Sequence, residues 1–256
     1  MKSRKHLIVG NWKMYIDTPL KGKRLWASVS RMAVRTKRSA VVLCPPMALL
    51  GSVAPSRSHE KIFLGAQDLF WDGAPARTGE TSPYVLRSLG VRFVLVGHSE
   101  RRALGETDEI ISAKARAALS VGITPIICVG EKVRDHHGDY FSYLEAHITK
   151  SCASVSKKQA SKIVIAYEPI WAIGKSAADA MTPEMLHETV LFIKKILVRL
   201  YGRKIGLLIP ILYGGSVEPG NVEGLVAHGT VDGFLVGHAS VDAEAFCDII
   251  RAADAL

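Results

Sequence analysis

The chain has 256 residues, 48% of them hydrophobic and 22% charged, with a formal net charge of +9. That composition excludes a disordered or fibrous protein, and no uncharged apolar run approaches the roughly 20 residues that span a bilayer, so a membrane partner is not expected. The positive excess favours anionic partners in general. Runs such as Arg35-Thr36-Lys37-Arg38 and Lys157-Lys158 nevertheless read as solvated helix faces without interleaved aromatics to stack bases, so no nucleic-acid partner is expected.

At the N-terminus, Met1-Lys2-Ser3-Arg4-Lys5-His6 has the charge of a signal segment, but Leu7-Ile8-Val9 is too short an apolar run to complete one, which predicts a cytoplasmic protein. The four cysteines, Cys44, Cys128, Cys152 and Cys247, are scattered without a C-x-x-C pair. They suggest reduced thiols, neither a zinc site nor a redox dithiol.

Eight short apolar runs follow one another: Leu7-Ile8-Val9, Val41-Val42-Leu43, Ile62-Phe63-Leu64, Phe93-Val94-Leu95-Val96, Pro125-Ile126-Ile127-Cys128, Ile163-Val164-Ile165-Ala166, Ile209-Pro210-Ile211-Leu212 and Gly233-Phe234-Leu235-Val236. None alternates apolar with polar, which predicts strands buried on both faces in a parallel sheet covered by helices. Between them lie helical segments with their own punctuation. Thr107 caps Asp108-Glu109 and a run ending before Gly122; Thr182-Pro183-Glu184 opens a helix through Leu186, Val190, Ile193 and Leu197 to Gly202; Asp242-Ala243-Glu244 opens the last. Strand and helix repeated eight times, with no linker, predict one α/β domain over residues 1–256, a closed eight-stranded parallel (β/α)8 barrel.

On such a barrel the loops after the strands converge on one mouth. After strand one comes Asn11-Trp12-Lys13, after strand four Gly97-His98-Ser99-Glu100, and after strand six Tyr167-Glu168-Pro169-Ile170-Trp171. A lone lysine is more often a surface residue and a lone histidine more often structural, and Glu168 alone could serve a salt bridge. Three such groups ending three strands instead point to acid–base chemistry, with a carboxylate beside apolar Ile170, Trp171 and Ile173 suited to taking and returning a proton. Tyr213-Gly214-Gly215-Ser216-Val217 and Val236-Gly237-His238-Ala239-Ser240 end strands seven and eight. Gly214-Gly215 alone could be a tight turn; after strand seven it reads as a phosphate cradle.

These residues place the chain in a recognisable pattern. Gly10-Asn11-Trp12-Lys13-Met14, Thr78-Gly79-Glu80, Val96-Gly97-His98-Ser99-Glu100-Arg101-Arg102, Cys128-Val129-Gly130-Glu131, Ala166-Tyr167-Glu168-Pro169-Ile170-Trp171-Ala172-Ile173-Gly174, Tyr213-Gly214-Gly215-Ser216 and Asp232-Gly233-Phe234-Leu235-Val236-Gly237 occur in that order. From end to end the sequence resembles the triosephosphate isomerase family. The resemblance implies a single TIM barrel that interconverts dihydroxyacetone phosphate and D-glyceraldehyde 3-phosphate through an enediolate, in glycolysis and gluconeogenesis, with no metal and no organic cofactor. It implies that Glu168 is the base, that His98 polarises the carbonyl as a neutral imidazole, that Lys13 and Asn11 hold the developing oxyanion, and that Glu100 supports them or relays a proton. It assigns the substrate phosphate to Gly174, Ser216, Gly237 and His238, with Leu235 lining the site, a lid to Pro169 through Ala177, and homodimer formation to Thr78 through Ser82.

Three positions depart from the family pattern. Lys175-Ser176-Ala177 replaces the usual Thr-Gly-Lys at the end of the lid, His238 stands where a second glycine follows Gly237, and Arg77 precedes Thr78-Gly79-Glu80 in place of an aromatic or other residue. Two rival readings stay open on sequence alone. The same machinery could isomerise a longer sugar phosphate, since pocket shape sets such specificity; or the barrel could bind phosphate or nucleic acid without turnover.

Overall fold

The computed structural model describes residues 6–53, 61–72, 76–135, 137–172 and 181–256. The strands are β1 (His6–Asn11), β2 (Ser39–Cys44), β3 (Ile62–Ala66), β4 (Phe93–Val96), β5 (Thr124–Val129), β6 (Val164–Tyr167), β7 (Ile211–Tyr213) and β8 (Gly233–Val236). Each pairs in parallel with its sequence neighbours, and β8 returns to β1 from Leu7↔Gly233 to Gly10↔Val236, closing the barrel. The helices are α1 (Pro19–Ala33), α2 (Leu50–Val53), α3 (Pro83–Ser88), α4 (Ser99–Ala103), α5 (Asp108–Ser120), α6 (Asp139–Ser151), α7 (Pro183–Tyr201), α8 (Arg203–Gly206), α9 (Val222–Ala227) and α10 (Ala243–Ala255).

The unbroken apolar strands are explained by two cores. Val9, Val42, Cys44, Leu95, Ile126, Cys128, Val164, Ala166, Leu212 and Leu235 fill the barrel interior. The intervening strand positions, such as Ile8, Val41, Leu43, Ile127 and Ile165, face outward and pack beneath the helices with Leu186, Val190, Ile193 and Leu197 of α7. Alternation is present in space, but both sides are apolar, so it is invisible in the sequence.

The expected helix starts are capped as the chemistry requires. Thr107, Thr182 and Asp242 accept hydrogen bonds from the backbone N–H groups of Ile110, of Met185, and of Glu244 and Ala245. Among the strands, β7 begins two residues later than its apolar run. Pro210 has no N–H to donate to a ladder, and its carbonyl instead accepts from Ile165 N at 3.0 Å. Ile163 likewise stays outside β6 because it caps the 3-10 turn Ala160–Lys162.

The seam between first and last strands is tight. Gly233 has φ +149°, and a Cβ there would collide with the Leu7 carbonyl, so only glycine lets β8 lie against β1 at this point. No helix among the described residues is long and apolar enough to cross a membrane. All four cysteines are free thiols, three of them buried.

Candidate active site

Glu168 follows β6 directly, and its N–H donates to Val129 O at 2.8 Å, so the ladder with β5 extends to this residue. Two glycines make room for it. A Cβ on Gly130 would strike the Glu168 carbonyl, and one on Gly214 would lie 2.9 Å from Glu168 Cγ. The side chain is 3% exposed, yet both carboxylate oxygens are occupied: the Ser99 N–H donates to Oε2 at 3.0 Å, and His98 Nε2 stands 3.2 Å from Oε1. From the barrel interior, burial and then the Glu168 charge push the Cys128 thiol well above its ordinary range, keeping it protonated.

His98 leaves β4 through Gly97, whose φ of +73° turns the chain toward the mouth. It caps α4: the Glu100 N–H donates to His98 Nδ1 at 3.2 Å. Nδ1 thus presents a lone pair to that N–H, while Nε2 faces Glu168 Oε1.

Lys13 has φ +45°, a costly conformation for a residue with a side chain. Its neighbours hold it there: the Lys13 N–H donates to Asn11 Oδ1 at 3.1 Å, and the Gln67 amide donates to the Lys13 carbonyl at 2.8 Å. Lys13 Nζ reaches Glu100 Oε1 at 2.6 Å, while the other Glu100 oxygen is 3.7 Å from His98 Nδ1. Glu100 thus lies between the ammonium and the imidazole. Asn11 is buried, and its carbonyl accepts from the Ser240 hydroxyl at 3.1 Å.

At the other end of the cleft, Asn221 shapes the loop after β7. Its amide donates to the Ser216 carbonyl at 2.9 Å, and its Oδ1 accepts the Glu218 N–H at 3.0 Å. Ser216 Oγ donates to the Ala172 carbonyl at 3.3 Å. Beyond β8, a Cβ on Gly237 would lie 3.6 Å from Lys13 Cε, and the exposed His238 ring meets the Tyr15 ring edge-on, with centroids 5.4 Å apart.

A single cleft of about 610 Å³ is lined by Asn11, Lys13, His98, Glu100, Glu168, Ser216, Leu235, Gly237 and His238, together with Tyr15, Ser99, Gly214 and Glu218. The first nine were expected from sequence. Gly174 and the lid segment Lys175-Ser176-Ala177 lie outside the described residues. Arg77, the third departure, pairs with Asp72 at 2.9 Å. Sequence reasoning missed Ser99, whose contribution is a backbone N–H, and did not foresee that the missing side chain of Gly214 admits Glu168. Its position beside Tyr213, whose strand pairs with that of Tyr167, was the available signal.

Below this site, Glu131 is buried and accepts hydrogen bonds from the Tyr167 hydroxyl and the Trp171 indole, both at 2.8 Å on Oε1. It ties the end of β6 to the turn that follows Glu168. Burial, followed by the Glu131 charge, holds the Tyr167 phenol well above its ordinary range.

Fold and site together define a (β/α)8-barrel enzyme with acid–base groups gathered at the C-terminal mouth of its strands. Residues 6–253 match the family model of triosephosphate isomerase. The chain is 41% identical over 250 residues to the triosephosphate isomerase of Carboxydothermus hydrogenoformans, covering 97% of this chain and 98% of that one. It is 39% identical to the one from Caldanaerobacter subterraneus subsp. tengcongensis, with 97% and 99% covered, and 40% identical to the one from Moorella thermoacetica, with 97% and 98% covered. The chain belongs to the triosephosphate isomerase family, whose members interconvert dihydroxyacetone phosphate and D-glyceraldehyde 3-phosphate.

Proposed function

We propose that the reaction runs on Glu168, His98 and Lys13, and the observation that carries this is the Glu168–His98 pair, 3.2 Å apart inside a cleft that Lys13 also enters. Glu168 removes the proton from the carbon next to the substrate carbonyl and returns it to the adjacent carbon. His98 donates its Nε2 hydrogen to the carbonyl oxygen as negative charge develops, and Lys13 and Asn11 stabilise the enediolate oxygens. Glu100 positions Lys13 and His98 through its contacts with both. The phosphate is held by backbone at Ser216, Gly237 and His238, with Gly174 contributing from the lid and Leu235 lining the floor.

The protein works in the cytoplasm, in glycolysis and gluconeogenesis, as a homodimer. Support for the dimer comes from a second cleft of about 250 Å³ beside the first, lined by Met14, Met47, Gln67 and Leu104 and sharing Asn11, Lys13, His98 and Glu100. Met14 and Leu104 are 88% and 78% exposed, an apolar surface fitted to the exposed loop at Thr78 to Glu80 of a second copy. Sedimentation should give a dimer, and Leu104→Glu a monomer of reduced activity.

A coupled assay in both directions, on the wild type and Glu168→Gln, tests the mechanism. Glu168→Gln should lose about 10²- to 10⁴-fold in kcat. Equal rates would sink it, and much greater activity on four-carbon sugar phosphates would reassign the substrate.

A further inference from the structure

The Lys13 ammonium is engaged by Glu100 at 2.6 Å, and Glu168 and Glu218 bring two further carboxylates to the lining of a cleft that must hold an anionic phosphate. Among the described residues His238 forms no salt bridge, and its ring lies at the cleft mouth. The ring is oriented by the edge contact with Tyr15, at 5.4 Å and 78°. Tyr15 belongs to the loop after β1 that also carries Lys13, and Lys13, Tyr15 and His238 line the same cleft.

We propose that the imidazole side chain of His238 donates a ring N–H hydrogen bond to the substrate's phosphate and so sets the affinity of the cleft for phosphorylated substrates. Either protonation state of the ring carries an N–H, so the contact needs no added proton. Hydrogen bonds to a charged acceptor are among the stronger ones even near solvent. The Tyr15 edge reduces the rotamer freedom lost when the ring engages the ligand. This inference rests on the isomerase reading of the site and adds a side-chain contact to the backbone donors assigned there.

The test measures KM and kcat with glyceraldehyde 3-phosphate, and the inhibition constant of inorganic phosphate, for the wild type, His238→Ala and His238→Gln. His238→Ala should raise KM and the phosphate inhibition constant roughly fivefold, the size expected for one such bond. The loss should fall on KM far more than on kcat, and His238→Gln, which keeps an N–H, should recover part of it. Unchanged KM and phosphate inhibition in His238→Ala, with the wild type active, would overturn this inference alone. A wild type without triose-phosphate turnover would instead bring down the isomerase reading, and this inference with it.

Discussion

His98 Nε2 faces Glu168 Oε1 at 3.2 Å, so the two groups proposed as electrophile and base stand against each other in the cleft. The Ser99 N–H completes the restraint on the carboxylate. In the proposed reaction a substrate carbonyl takes the His98 hydrogen while its neighbouring carbon meets Glu168. Binding and the activation of both groups become one event.

Lys13→Met keeps the stem of the side chain and deletes the ammonium. Steady-state kinetics should show kcat/KM falling by about 10²- to 10³-fold, the usual size for losing a preorganised charge at a developing oxyanion. The Glu100 partner is largely exposed, so thermal melting should shift little.

Gly214→Ala tests the room made for the base. The new Cβ would stand 2.9 Å from Glu168 Cγ, forcing the carboxylate to shift. A displacement of a few tenths of an ångström to 1 Å should lower kcat by about tenfold to 100-fold. Circular dichroism should show the fold intact, and a variant with wild-type kcat would refute the steric argument.

Glu131→Ala leaves the Tyr167 hydroxyl and the Trp171 indole without their acceptor. Urea denaturation should show a loss of about 2–4 kcal/mol. Glu131→Gln retains one carbonyl acceptor and should lose about half as much.

His147 gives the stability a pH dependence. Burial first, then the nearby Arg102 charge, lower its pKa to about 4, against an upward pull from Asp108. Its ring also accepts the Gly130 N–H at 3.4 Å, which requires the neutral form. Because the folded pKa is depressed, this contribution is complete above the unfolded value of about 6.5 and is lost as pH falls from there toward 4. Unfolding free energies from urea titrations should decline between pH 7 and pH 4 by an amount on the order of 2–3 kcal/mol more in the wild type than in His147→Gln, measured as the pH-dependent part alone.

The sequence made the barrel legible wherever apolar runs were bounded by residues that cannot continue a strand. The run Phe93 to Val96 ends at Gly97 and matches β4, and the run Gly233 to Val236 ends at Gly237 and matches β8. It misled at Ile209, where apolar character continued past the point at which Pro210 interrupts the ladder. Side chains that perform chemistry were legible because their types are rare at strand ends. Contributions made by backbone, such as the Ser99 N–H, or by a missing side chain, such as Gly214 beside Glu168, depend on which loops meet in space. No property of the local sequence reports that meeting.

Closure at the Leu7–Gly233 seam also fixes an order of events during synthesis. Lys13 leaves the ribosome more than 200 residues before Gly237, which lines the same cleft. Until β8 emerges, β1 and β7 expose backbone edges open to mispairing with other chains. The barrel is therefore open and vulnerable until β8 has emerged. A Gly233 substitution should be felt chiefly as lost yield, since it blocks the final stitch while leaving the catalytic groups untouched.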